Sequence, residues 1–429
     1  MPLRPAASLA AAVVLTGVAA GAAGALLILF LHLVQHLAYG YTAEAFALGS
    51  AQASGARRVL AMTVGGAVVG LGWWALRRLV PTAPSVTAAL RDSDHRLRLP
   101  SATADALLQI VAVGAGASLG REGAPRQVAA AVAEWLSARL DLPPERRRVL
   151  LACGAGAGLA AVYNVPLGGS LFALEVLLRR ITLPDALIAV TTSGIATAVA
   201  WPVVGLRPTY SLASTGAPWP LVVGAVVLGP IAGLVGWAFR RLTTAARTHA
   251  PTGWRLPLTT TAVFAAVGAV AMALPLVLGN GRGPATLAFG DGLPVGQLAA
   301  LVVLKPLATA VCLRSGAIGG LLTPSVATGA LLGALFGTGW LLMWPGSSAA
   351  AFAIVGAAAV LAVTQQAPLT AAVLAVEFTH ADFPLLVPIA LAIAGAIGLS
   401  RVAFGPATPE LPYARPAPQP AAPDRHCGG

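Results

Sequence analysis

The sequence predicts an all-α, polytopic membrane protein made of two related halves, with broken half-helices meeting near the middle of the bilayer. Three observations carry that prediction. The 429-residue chain is 57% hydrophobic and only 10% charged, against about a quarter charged in soluble domains. Apolar runs long enough to cross a bilayer, about 20 residues, recur from end to end. Short segments interrupted by Gly and Pro also return in the same order in the second half of the chain, the mark of half-helices that meet at a midplane site.

The first helix is expected over 6–37. Its apolar run 8–30 exceeds the h-region of a signal peptide and only Arg4 precedes it, so it reads as a membrane helix and not as a leader. Further spanning runs lie at 59–76, 183–203, 220–239, 256–278, 294–313 and 383–400. Shorter ones lie at 106–119, 149–163, 165–178, 325–343, 349–364 and 368–379. The transmembrane domain is therefore placed at 1–404, its halves at 59–204 and 220–404, with a Pro/Ala-rich disordered tail at 405–429 and no sizeable cytoplasmic domain after it. The net charge of +12 comes from arginines in the polar breaks, among them Arg77-Arg78, Arg91, Arg96, Arg98, Arg146 to Arg148, Arg179-Arg180 and Arg240-Arg241. They flank apolar spans, which indicates anchoring at the bilayer edge and not nucleic-acid binding.

Two elements repeat. Gly120-Arg121-Glu122-Gly123-Ala124-Pro125 has the glycine-to-proline spacing of Gly319-Gly320-Leu321-Leu322-Thr323-Pro324, and an Ala-rich helix follows each. Pro166 to Glu175 matches Pro368 to Glu377, with proline and glutamate nine positions apart both times. The copies are offset by 199 and 202 residues.

The first of these stretches carries the chemistry. Its glycines and proline forbid one smooth helix. An ionisable residue at the bilayer centre costs about 2.5–3.5 kcal/mol on insertion scales, so it marks a functional cavity. A half-helix that starts inside the membrane aims unpaired N–H groups and a positive dipole end at the centre, which binds an anion without a fixed cation. Three such starts are expected, after Pro84, Pro125 and Pro324, opening with Ser85, Arg126 and Ser325. A carboxylate at such an end competes with the anion when ionised and swings away when protonated. Glu122 is thus read as gate and proton carrier together; the structural alternative is an Arg121–Glu122 pair that stabilises the bend. Glu175 and Glu377 read as structural, Glu175 being close to Arg179-Arg180. Lys305, the only lysine, either holds an internal carbonyl or carboxylate or snorkels to the interface. The glycines of 154–158 read as close helix packing and not a nucleotide loop. Cys153, Cys312 and Cys427 have no metal or disulfide spacing, and no nucleophile–His pair or metal cluster is present. An enzyme, a cofactor and a metal are accordingly not expected.

These residues resemble the CLC family of anion channels and transporters. Gly120 to Pro125 is similar to the family's Gly-Arg-Glu-Gly-Pro gating motif, and Tyr163-Asn164-Val165-Pro166-Leu167-Gly168-Gly169 to its Phe-Asn-Ala-Pro-Leu-Ala-Gly turn. Lys305, Leu307, Thr309 and Ser315 to Gly320 resemble its Lys-x-Leu-x-Thr…Ser-Gly-x-x-Gly-Gly stretch, and Ala367 to Thr370 with Glu377 and Thr379 its Ala-Pro-Leu-Thr…Glu-x-Thr stretch. The resemblance implies an inverted-repeat fold in the plasma membrane and a homodimer with one pore per subunit. It makes Glu122 the gating glutamate. It makes Gly120, Arg121, Gly123, Gly320, Leu321, Leu322 and Thr323 anion-binding candidates, with Lys305, Asn164, Glu175 and Glu377 supporting them. The family's anion-holding serine falls on Pro81, beside Thr82; its inner proton-relay glutamate falls on Val176; and its late tyrosine finds only Tyr413. Keeping the gate while losing the serine and the inner glutamate resembles the fluoride–proton antiporter branch. The expectation is therefore proton-coupled exchange of a small halide, fluoride placed ahead of chloride, with a passive chloride channel of the same fold as the alternative.

Overall fold

The computed structural model describes residues 3–40, 46–80, 85–91, 96–210 and 216–405. Pro81, Thr82, Tyr413 and nearly all of the tail assigned to 405–429 therefore lie outside the described residues. The first half contains α1 (Leu3–Tyr39), α2 (Phe46–Gln52), α3 (Gly55–Leu79), α4 (Val86–Arg91), α5 (Leu99–Gly114), α6 (Gly123–Arg139), α7 (Pro144–Tyr163), α8 (Pro166–Leu171) and α9 (Leu183–Val204). A wider π-type turn, Phe172–Leu178, continues α8. The second half contains α10 (Trp219–Thr248), α11 (Arg255–Ala273), α12 (Arg282–Phe289), α13 (Val295–Arg314), α14 (Leu322–Met343), α15 (Ala349–Gln365), α16 (Pro368–Thr379) and α17 (Leu386–Phe404).

Among the described residues, eight helices are long and apolar enough to cross a bilayer. Seven fall on the spanning runs read from the sequence. The eighth, α14, corrects a boundary: the run 325–343 was taken as short, but the helix begins at Leu322 and reaches spanning length. Pro324 stands in its first turn, where a proline's missing N–H costs no intrahelical bond. The same reasoning moves the start of α6 from Pro125 back to Gly123.

Packing in the two halves follows one pattern. In the first half α1 lies against α7 and α9, α5 against α6, and α6 against α7; in the second α10 lies against α15 and α17, α13 against α14, and α14 against α15. Small residues permit it. A Cβ on Gly154 would stand 2.8 Å from Ala129 O, and one on Gly158 would overlap Pro125 O, so α7 can press against α6 only through glycine. The 154–158 glycines are packing residues, as expected.

The halves also stitch to each other through their glutamates. Glu175 accepts the backbone N–H groups of Leu369 and Thr370 at 3.1 and 2.7 Å, and the Thr370 hydroxyl at 2.6 Å. Glu377 accepts those of Leu167 and Gly168 at 3.0 and 2.6 Å. Each carboxylate thus caps the N-terminus of the other half's short helix, satisfying donors that a helix start leaves open. The expected pairing of Glu175 with Arg179-Arg180 does not form; Arg180 instead bridges Glu145 and Asp185, which lie on its own side of the fold. Lys305 is fully buried and donates from Nζ to the carbonyls of Val277, Leu278 and Gly279. Of its two expected roles it takes the first, an internal anchor.

Candidate anion site

The chain breaks between α5 and α6 and again between α13 and α14, and the two breaks meet. Gly120 N donates to Gly320 O at 2.8 Å, and Gly320 N donates to Gly120 O at 2.9 Å, forming a single antiparallel bridge. Their N–H groups are thereby occupied by each other. Their contribution is space: a Cβ on either glycine would overlap the Glu122 carboxylate. Nearby ties hold the breaks in place, with the Ser118 and Thr309 hydroxyls 3.0 Å apart and the Tyr39 hydroxyl donating to Ala115 O at 2.6 Å.

Glu122 is fully buried and its carboxylate crosses from the first half onto the first turn of α14. Leu322 N donates to Oε1 at 2.7 Å, while the hydroxyls of Thr323 and Tyr163 each lie 3.1 Å from Oε2. The two hydroxyls are 2.6 Å from each other. The carboxylate therefore occupies a ready-made anion site: a helix N-terminus with its free N–H and positive dipole end, completed by two hydroxyl donors.

Arg121 takes no part in holding Glu122. Its Nη2 donates to Val162 O at 3.2 Å and its guanidinium lies over the Tyr163 ring, 4.9 Å from the centroid. The structural alternative of an Arg121–Glu122 pair is not what forms. Gly123 opens α6 directly after Glu122, and a Cβ there would overlap Gln109 Oε1. Leu321 precedes α14 as its cap residue and contributes no hydrogen bond from its side chain. Asn164 ends α7 in the left-handed conformation, at φ 57°. Its side chain accepts from Trp201 Nε1 at 2.9 Å and donates to Leu206 O at 3.3 Å, so it shapes the turn that carries Tyr163. Val176, at the position matched to an inner glutamate, follows Glu175 on the π-type turn.

Sequence reasoning missed Tyr163 as a site residue, having sought the tyrosine at Tyr413. The usable signal was present: Tyr163 is the last residue of a short apolar helix before the Asn-x-Pro turn, where a helix end inside the bilayer aims its final side chain at the centre. Tyr210 was also missed. It is buried against the rings of Phe378 and Phe289, and Phe378 in turn packs on Tyr163, so the pair backs the site from behind.

Among the described residues, eight helices of spanning length and composition around a buried carboxylate define a multi-pass integral membrane protein. The chain belongs to the voltage-gated chloride channel family, the CLC family, whose sequence model it matches over residues 65–401. It is 32% identical over 361 residues to a ClcB-like protein of Ralstonia nicotianae, covering 75% of this chain and 81% of that one. It is 33% identical over 305 residues to the H(+)/Cl(−) exchange transporter ClcA of Cronobacter sakazakii, covering 68% of this chain and 65% of that one. Among solved structures it resembles a slow cyanobacterial Cl−/H+ antiporter with a TM-score of 0.82 at 22% identity, over 93% and 95% of the two chains. It also resembles a CLC-type fluoride/proton antiporter with a TM-score of 0.71 at 20% identity, over 92% and 96%. At those identities the likeness is one of fold.

Proposed function

We propose that this chain exchanges a small halide for protons across the membrane, with Glu122 as both gate and outer proton carrier. The observation that supports this most is the seat of the Glu122 carboxylate on Leu322 N–H and the Thr323 and Tyr163 hydroxyls. An ionised Glu122 and a halide want the same donors, so each excludes the other. Protonation removes the charge that holds the carboxylate there, freeing the donors for the anion. One group thus couples two ions without being consumed. A fixed channel lining would offer donors to the anion without placing a competing carboxylate on them.

The halide proposed is chloride, because the curated relatives are named as chloride channels and H(+)/Cl(−) exchangers. Fluoride stays as the second arm of the test, supported by the two hydroxyl donors at the site and by the departure at Val176. A homodimer with one pathway per subunit is the proposed assembly. In proteoliposomes, an outward halide gradient is expected to drive protons inward against their own gradient, measured with chloride and fluoride side by side. Halide efflux at full rate with no proton movement favours the passive channel and overturns the exchange reading.

A further inference from the structure

Four carboxylates are buried among the described residues: Asp105, Glu122, Glu134 and Asp185. Glu134 is paired with Arg147, and Asp185 with Arg180. Asp105 differs. Trp73 Nε1 donates to its Oδ1 at 2.7 Å, and Gln109 Nε2 donates to its Oδ2 at 2.9 Å. Both are neutral donors, which bind the carboxylate yet do not require it to stay ionised. Of the charged groups on the helices packed against α5, Arg77 on α3 acts on Asp105 at longer range while donating to Gly316 O at 3.1 Å; Gln127 on α6 also faces it.

Gln109 connects Asp105 to the gate. One N–H of its amide goes to Asp105 and the other to Gln127 Oε1, also at 2.9 Å. Its Oε1 is buried, accepts no hydrogen bond, and lies where a Cβ on Gly123 would stand, beside the residue that follows Glu122. Asp105 sits six residues into α5, about 9 Å from the start of that helix at 1.5 Å per residue. That end follows Arg96 and Arg98, and the first turn of α7 with Arg147 comes close enough for Arg147 and Arg96 to repel. Positive charge concentrated at one face marks it as cytoplasmic. Asp105 therefore stands between that arginine-bearing end of α5 and Glu122.

We propose that Asp105 is the inward-side proton station that supplies Glu122, with Gln109 as its positioning residue. The inference rests on the proton-coupled reading of the Glu122 site. In the transfer, the Asp105 carboxyl O–H gives its proton to a bridging water held at Gln109 Oε1. That water passes a different proton to the Glu122 carboxylate as the latter leaves α14. Only O–H bonds break and form: Glu122 becomes neutral, and Asp105, left anionic, stays held by Trp73 and Gln109 until it takes a proton from the cytoplasm.

The experiment measures halide efflux and proton uptake together in proteoliposomes of the full chain. Asp105→Asn keeps the shape and removes the titrating group. It is expected to lower protons moved per halide at least about 100-fold, the low end for loss of a proton-transfer group, while halide efflux stays within about 3-fold. Asp105→Glu is expected to restore coupling. Gln109→Leu, which leaves the Trp73 bond to Asp105 in place, is expected to lower coupling as well, and it decides the matter if Asp105→Asn does not fold. Glu134→Gln, at the ion-paired carboxylate, is expected to leave the ratio unchanged. A wild-type protein without coupling overturns the exchange reading of the gate. A coupled wild type whose Asp105→Asn and Gln109→Leu variants are equally coupled overturns the role of Asp105 alone.

Discussion

Glu122→Gln isolates the charge of the gate from its shape. The carboxylate accepts three hydrogen bonds at 2.7, 3.1 and 3.1 Å. Hydrogen bonds to a charged group contribute about 1.5–3 kcal/mol against about 0.5–1.5 for neutral ones, so neutralising the acceptor loses about 1 kcal/mol at each, or about 3 kcal/mol in all. The glutamine amide also has to turn its oxygen to Leu322 N–H, leaving its NH2 group facing two hydroxyls that must reverse to accept it. A halide competing for the same donors then meets a weaker rival. Its apparent affinity in detergent, read by titration calorimetry, is expected to rise about 100-fold, the factor that about 3 kcal/mol represents. Proton movement in proteoliposomes is expected to vanish, since the amide does not titrate. Unchanged halide affinity together with retained proton movement would refute the assignment of the gate to this carboxylate.

Two further outcomes follow from the same geometry. Tyr163→Phe removes a hydroxyl that serves both Glu122 and Thr323 while keeping the ring under Arg121 and against Phe378. It is expected to weaken halide binding about 10- to 150-fold, the cost of one hydrogen bond to an anion at about 1.5–3 kcal/mol, with protons per halide unchanged, measured by calorimetry and paired flux. Glu175→Ala and Glu377→Ala each uncap the opposite half's short helix. Each is expected to destabilise the fold by about 1–3 kcal/mol, seen as a lower thermal midpoint in detergent, with the coupling ratio preserved.

The membrane class, the seven long spans and the two breaks were legible because they are one-dimensional signals: hydropathy over about 20 residues, and Gly/Pro punctuation. The packing role of the 154–158 glycines was legible for the same reason. What the sequence hid was partnership across about 200 residues. Glu175 lies four and five residues before two arginines, so local reading pairs them, yet a helix N-terminus in the other half offers two aligned N–H groups and wins. Tyr163 stands at a helix end before the Asn-x-Pro turn, but its hydroxyl's partners, Glu122 and Thr323, come from two other breaks in the chain and are not local to it. Asp105 was passed over, since one acid in a polar stretch near a helix start is ordinary until its partners are known to be neutral. The helix starts at Gly123 and Leu322 come three residues before the expected Arg126 and Ser325, because the helices are read as opening after the proline, when it occupies the first turn more broadly.

The two halves differ by one residue where it matters. In both, a bridge glycine precedes a first-turn proline: Gly120 and Pro125 in one half, Gly320 and Pro324 in the other. Matching by proline spacing pairs Gly120 with Gly319, but the bridge pairs it with Gly320, so the second half is one residue shorter between bridge and proline. In the shorter version the chain passes through Leu321 straight into α14, and Leu322 N–H is left pointing at the bridge. In the longer version there is room for a turn through Arg121 and Glu122 before α6 begins. That turn sends Arg121 toward Tyr163 and Val162 and lets the Glu122 side chain cross to α14. The inserted residue and the glutamate therefore act together: a glutamate at Leu321 on the shorter path has no turn to fold back from. The Glu122 carboxylate reaches the donors of the other half because its own half has that extra residue before the proline.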